Sequence, residues 1–374
     1  MNILFVSHYP DAHTGSPRAL IDFVGNMDRK FFQQCLMVPK KGALSKELEQ
    51  YGTRIFTKVS ISLSQNNLPE FIASVISFLS LYHKEKIDLV HYNGIGWRES
   101  CLLAAWLLRI PIVLYLHNPY PQDEISGNFN FYFANSIIAV SQFMRDNFKN
   151  HPKIMNKIVC IHNGVDLGYF ISKPSTMRET LGIDDQTFVI GFVGQISTRK
   201  GLDTLIHTSP SIIEQHPDTV FLIVGSDGAG EEGLTAKMKR LAERLGVLQH
   251  FYFLGRQTDI PEVMNTIDLL VTPSLAEPFG KVIIEAMGCR KCVIASRVDG
   301  IPEIIQDGKN GLLVPPKNVN ALGSAILKLM ENEKLRIQLA ETGYKTAVEE
   351  FAIDKHVKKV QGLYTQLLTQ KRTG

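Results

Sequence analysis

The chain has 374 residues, 44% of them hydrophobic and 21% charged, with a formal net charge of +3 at pH 7. That length suits two domains of ordinary size, and the composition excludes a disordered chain. The excess positive charge falls in residues 1–170 and leaves the remainder neutral, so no basic stripe marks a nucleic-acid-binding surface. Met1 leads almost at once into Ile3, Leu4, Phe5 and Val6, a strand-like run without a basic leader, an apolar core or a cleavage site. The expected location is therefore cytoplasmic. The longest apolar stretch, residues 70–86, is interrupted by serines and closed by charges, which predicts a mostly buried helix and not a membrane span.

In chain order, apolar runs at 2–8, 34–40, 54–59, 88–93, 111–118, 136–142 and 157–163 read as strands. Helical patterns at 17–27, 43–51 and 98–109 fall between them. Strands this continuously apolar suit a parallel sheet covered on both faces. From Phe188 the pattern starts again, with strands at 188–196, 220–226, 251–256, 269–274, 292–298 and 311–316. The predicted class is thus α/β, with two Rossmann-like doubly wound parallel-sheet domains facing a central cleft. A polar, proline-bearing seam lies near 165–185, and helices at 319–350 and 353–370 close the chain. In the last helix Val357, Val360, Leu363, Tyr364 and Leu367 recur at helical spacing, as docking requires. The cysteines at 35, 101, 160, 289 and 292 are odd in number, which predicts reduced thiols. Cys289 and Cys292 have metal or redox spacing, but no second Cys/His pair lies near them, so packing is the expected role.

Ligands of open α/β sheets bind beyond the carboxyl ends of the strands, and the unusual residues fall there. After the strand at 269–274 come Glu277, Pro278, Phe279, Gly280, Lys281 and, further on, Glu285. A helix is expected to start near Pro278 or Phe279, and its free amides form a phosphate site. Two carboxylates beside such a site serve better as acceptors for sugar and ribose hydroxyls than as phosphate ligands. The alternative is a Glu favoured by the helix dipole plus an exposed mid-helix Glu. After the strand at 188–196, Arg199 and Lys200 stand where a departing diphosphate would need cations, although such residues in a loop are also commonly just solvated. After the first strand, Gly15 would let backbone approach a phosphate, while His8, His13 and Arg18 are either acceptor contacts or ordinary loop residues. His117 ends the strand at 111–118, and Asn163-Gly164 makes a tight turn.

Glu277 and Glu285 form an E-x7-E pattern, and residues 276–316 closely resemble the GT-B retaining glycosyltransferases of family 4. The resemblance covers essentially the whole chain and is stronger in the C-terminal half. It implies that Glu277 contacts donor-sugar hydroxyls and Glu285 the ribose, and that Phe279, Gly280 and Lys281 bring amides to the diphosphate. Lys200 matches the family's Gly-Arg…Lys-Gly loop; Gln195 stands where the family commonly has Arg, and Arg199 is the nearby cation. Gly15 and Ser16 stand where the family usually has Gly-Gly. His117 is similar to the family's histidine beside the reacting sugar. Gly225 and the stretch ending in Arg256 resemble walls of the donor site, the latter meeting the base through its backbone.

The resemblance implies an acceptor-side domain over 1–170, a nucleotide-sugar-binding domain over 171–350, and a C-terminal helix over 351–374 that crosses back. It further implies a hexosyltransferase that retains configuration, using a UDP-sugar in preference to a GDP-sugar, with a glycan or lipid-linked acceptor. Cell-surface polysaccharide synthesis and peripheral contact with the inner face of the membrane follow as family expectations. The chain contains no Asp-x-Asp, so neither a metal nor a cofactor is expected. The competing readings are a sugar-nucleotide epimerase of the same fold and a non-catalytic accessory subunit. A nicotinamide oxidoreductase is the weakest rival, because GxGxxG is missing after the first strand.

Overall fold

A computed structural model describes residues 1–12, 15–64, 66–94 and 96–373. The chain divides into two compact units, one formed by residues 1–164 with 353–374 and the other by residues 165–352.

The first unit is built on β1 (Asn2–Val6), β2 (Gln33–Val38), β3 (Arg54–Thr57), β4 (Leu89–Asn93), β5 (Ile112–Leu116), β6 (Ser136–Ala139) and β7 (Ile158–Cys160). All seven pair in parallel, in the order β3-β2-β1-β4-β5-β6-β7. Parallel neighbours need crossovers, and helices such as Gly15–Gly25, Leu68–Lys84 and Ser100–Leu107 supply them and cover the apolar strands. The order reverses between β1 and β4, so the loops after these two strands diverge and leave a crevice.

The helix Ile353–Thr373 belongs to this unit and packs on the helix Gly15–Gly25. It buries His356, Val357, Val360, Tyr364, Leu367 and Leu368, whereas Leu363 is only half-buried. The Tyr364 hydroxyl lies 2.6 Å from His91 Nδ1, inside an aromatic cluster with Phe23 and Phe32.

The second unit contains β8 (Val189–Val193), β9 (Val220–Val224), β10 (Phe251–Gly255), β11 (Leu269–Thr272), β12 (Cys292–Ser296) and β13 (Leu312–Val314). These six strands are parallel in the order β10-β9-β8-β11-β12-β13, with the reversal between β8 and β11. Ile190, Phe192, Leu205, Phe221, Ile223, Leu269 and Ile294 lie in one buried core cluster. The two Rossmann-like sheets are those expected from the apolar runs. Cys289 and Cys292 are both buried, and burial pushes each thiol up to about 12, which leaves them unreactive.

Two of the differences from the expected elements change how the chain is read. The single helix expected over 319–350 is two, Val319–Glu331 and Glu333–Glu350, because Asn332 leaves the helical conformation. The Asn332 side chain then accepts from Leu335 N and caps the second helix. The other difference is the helix after β11. It starts at Lys281, since Gly280 before it adopts φ +100° in the left-handed region.

Burial, with His117 and His356 nearby, pushes the His91 imidazole down to about 3 from an ordinary 6.5. The unfolded chain therefore binds the extra proton below about pH 6.5. The stability His91 contributes is complete above that pH and is lost as pH falls toward 3. The melting midpoint is expected to drop between pH 6.5 and about 4, and less steeply in His91→Gln. Parallel profiles for the two proteins would place the acid sensitivity in other groups.

Candidate functional site

In the second unit the loops after β8 and β11, neighbours where the strand order reverses, meet through a few close backbone contacts. The loop after β8 runs from Gly194 to Gly201 and is packed against its neighbours backbone to backbone. Gly194 N donates to Val224 O at 2.9 Å and Ile196 N to Ser226 O at 2.8 Å. Gly225 has φ +147°, and a Cβ there would collide with the Gly194 carbonyl oxygen. Gln195 packs its side chain beside Gly228.

At Gly201 (φ +68°) a Cβ would strike the carbonyl oxygen of Pro273 in the loop after β11, so only glycine permits this approach. Leu275 N donates to Arg199 O at 2.7 Å, and Arg199 Nη1 reaches Ala276 O at 3.4 Å. These contacts place Lys200 and Glu277 face to face, with Lys200 Nζ donating to Glu277 Oε2. The pair spans the switch point and is well buried, its side chains 14% and 9% exposed. Glu277 N donates to Asp299 Oδ2 at 2.8 Å, and Glu277 O accepts from Gly300 N at 3.1 Å. Asp299 therefore fixes the backbone of Glu277, a role the sequence pattern did not single out.

Four residues past Glu277, the helix Lys281–Gly288 begins. Phe279 is buried and stacks edge-on against Phe351, and Gly280 forms the N-cap. Glu285 lies about one turn into the helix, which starts later than expected. Its carboxylate pairs with Lys281 Nζ, and both side chains are nearly buried. Two cations, each matched by a carboxylate, thus flank the N-terminal turn of a helix. Arg256 is exposed just beyond β10. Ser197 Oγ and Ser274 Oγ are buried without a hydrogen-bond partner among the described residues.

In the first unit the corresponding reversal lies between β1 and β4. Gly15 is exposed at the start of the helix Gly15–Gly25, and a Cβ there would meet open space. His13 lies outside the described residues. Arg18 pairs with Asp22 and Glu47, each at 3.1 Å, and His8 contacts the Tyr92 hydroxyl and lies 3.6 Å from Glu99. His117, just past β5, places Nε2 2.9 Å from Asn93 Oδ1 at the end of β4. Its ring packs on Tyr115 at 4.3 Å between centroids. The surrounding protein desolvates it, and with His356 nearby this pushes its pKa down to about 3. The imidazole is therefore neutral at physiological pH. Asn93, a residue the sequence reading passed over, also reaches Ser16.

Two family models match. The one described as glycosyl transferases group 1 covers residues 175–346, and glycosyltransferase family 4 covers residues 15–169. An uncharacterized glycosyltransferase of Methanocaldococcus jannaschii is 32% identical, over 77% of this chain and 78% of its own. A D-inositol 3-phosphate glycosyltransferase of Corynebacterium urealyticum is 26% identical, over 83% of this chain and 80% of its own. Among solved structures, Anabaena HepE with UDP and glucose superposes with a TM-score of 0.85 at 25% identity, covering 98% of this chain and 99% of that one. HepE has also been solved with UDP-glucose.

Burial makes the Lys200–Glu277 pair sensitive to losing one partner. Removing Lys200 alone leaves a buried carboxylate uncompensated, a loss of about 3–5 kcal/mol for buried pairs in general. Lys200→Met is therefore expected to melt at a lower temperature than the double variant Lys200→Met/Glu277→Gln, measured by calorimetry without ligand. Additive effects of the two substitutions would show that the groups do not interact.

Proposed function

This chain belongs to the glycosyl transferases group 1, and we propose that it moves a hexose from a UDP-sugar to a glycan or lipid-linked acceptor with retention of configuration. The observation that carries this reading is the buried Lys200–Glu277 pair, set across the switch point next to the helix Lys281–Gly288. A diphosphate needs cations and amides, and a sugar needs carboxylate acceptors; here both kinds of group converge within one unit.

In this reading Lys200, with Arg199 near it, neutralises the diphosphate together with the amides that follow Gly280. Glu277 receives hydroxyls of the sugar and Glu285 those of the ribose. Gln195, Gly225 and Arg256 line the remainder of the donor site. For Gly15, His117 and the acceptor contacts, the reading takes the roles that the family resemblance implies. The bond from the anomeric carbon to the phosphate oxygen breaks, and the acceptor oxygen bonds to the same face. The acceptor's proton passes to the leaving phosphate, so the products are a glycoside and a nucleoside diphosphate, with no dedicated base. Charge growing on that phosphate is met by fixed cations, so a divalent metal is not required. The reading sets this work in the cytoplasm, on cell-surface polysaccharide; no described helix is long and apolar enough to cross a membrane.

A thermal-shift titration with UDP, GDP, ADP and NAD in the presence of EDTA tests the donor assignment. At about 100-fold excess over Kd, one nucleoside diphosphate should stabilise the protein by about 2.7 kcal/mol. The shift should shrink in Glu285→Ala. A response to NAD alone, or none to any diphosphate, would contradict the proposal.

A further inference from the structure

Asn93 closes β4 and is only 3% exposed. Its side-chain nitrogen lies 3.0 Å from Ser16 Oγ and 3.4 Å from the Ser16 carbonyl oxygen, while its side-chain oxygen lies 2.9 Å from His117 Nε2. A carbonyl oxygen only accepts hydrogen bonds, so the end of the amide facing Ser16 O must be the nitrogen. The oxygen therefore faces His117, and it needs a donor there. Nε2 must carry the ring proton, which leaves the lone pair on Nδ1. The packed Tyr115 ring limits rotation of the imidazole.

From these contacts we propose that Ser16 and Asn93 are positioning residues that hold His117 as its Nε2–H tautomer, so that Nδ1 presents an acceptor to a hydroxyl of the bound sugar. The inference rests on the functional reading above, which sets His117 beside the sugar, and it supplies the protonation state that reading lacks. It also accounts for Ser16 at a position where the resembling family usually has glycine. Glycine would keep only the carbonyl contact at 3.4 Å and lose the shorter one to Oγ. The titratable groups around the ring are Tyr115, His91 and His356. Burial holds Tyr115 and His91 in their neutral forms, Tyr115 with its pKa raised and His91 with its pKa lowered to about 3. The His356 ring nitrogens lie against His162 O and the Tyr115 hydroxyl. The amide thus governs the tautomer without charging the ring.

Long-range ¹H–¹⁵N spectra of the full-length protein, without substrate and with His117→Gln for assignment, read the tautomer directly. The wild type should show Nε2–H, and Asn93→Ala should show a mixture. Ser16→Gly should fall between them. Asn93→Asp, close to isosteric, should move the His117 titration up toward the ordinary range near about 6.5, a change that a purely structural role would not produce. With donor and acceptor present, Asn93→Ala should lower kcat about tenfold or more while the donor KM changes by less than about threefold. An Nδ1–H tautomer in the wild type, or an unchanged tautomer in Asn93→Ala, would overturn the proposal. A shifted tautomer with wild-type turnover would overturn it equally. The spectra need no ligand, so failure to bind any nucleoside diphosphate would sink the functional reading and still leave the tautomer to decide this one.

Discussion

The second unit is organised around one requirement: a lysine held out of water at a switch point needs a counter-charge. β8 and β11 are neighbours where the strand order reverses, and Gly201 lets the backbones of the loops after them touch. Lys200 is brought in by one loop and Glu277 by the other. Taking either charge out of water alone would be costly, so each makes the other tolerable. In the proposed reading, a diphosphate at the same place would offer Lys200 a second anionic partner and free Glu277 oxygens for hydroxyls. Lys281 and Glu285 repeat the arrangement one helical turn away. The four side chains are thus balanced in charge as two ion pairs, and in the proposed reading they are the groups a nucleotide sugar needs.

The first unit solves the same topological problem with neutral groups. Its switch point between β1 and β4 is spanned by Ser16 and Asn93, and Asn93 passes the link to His117 after β5. Behind this chain lie His91, His356, Tyr115 and Tyr364, all buried. A charged group in such surroundings would pay heavily for desolvation, which is why His91 and His117 are both pushed down to about 3. The helix Ile353–Thr373 contributes His356 and Tyr364, so the C-terminal residues help set the electrostatics beneath His117. One unit presents fixed charge and the other presents fixed dipoles.

The sheets were legible in the sequence because parallel strands buried on both faces must be apolar throughout. Runs such as Val189–Val193 and Leu269–Thr272 announce themselves without any partner. The helix after β11 starts two or three residues later than its sequence suggests because Gly280 turns left-handed, which propensity alone does not reveal. Asn332 interrupted a helix for a comparable reason: its side chain serves as a cap more readily than as a helical residue. Lys200, Glu277 and Glu285 stood out by type and position after strands; the structure pairs the first two with each other and Glu285 with Lys281, which the family resemblance marked only for its backbone amide. Asn93 and Asp299 did not stand out. Each acts on a residue distant in sequence, at separations of 24 and 22, and no local spacing encodes such a contact.

The central claim is that Lys200 is the cation for a diphosphate, and calorimetric titration of Lys200→Met tests it most directly. The titrant is whichever nucleoside diphosphate stabilises the wild type most. Losing a charge-assisted contact worth about 2 kcal/mol should weaken binding roughly 30-fold while the variant stays folded. Affinity within about twofold of wild type would place the diphosphate elsewhere, and the Lys200–Glu277 pair would then be a structural link between two loops and nothing more.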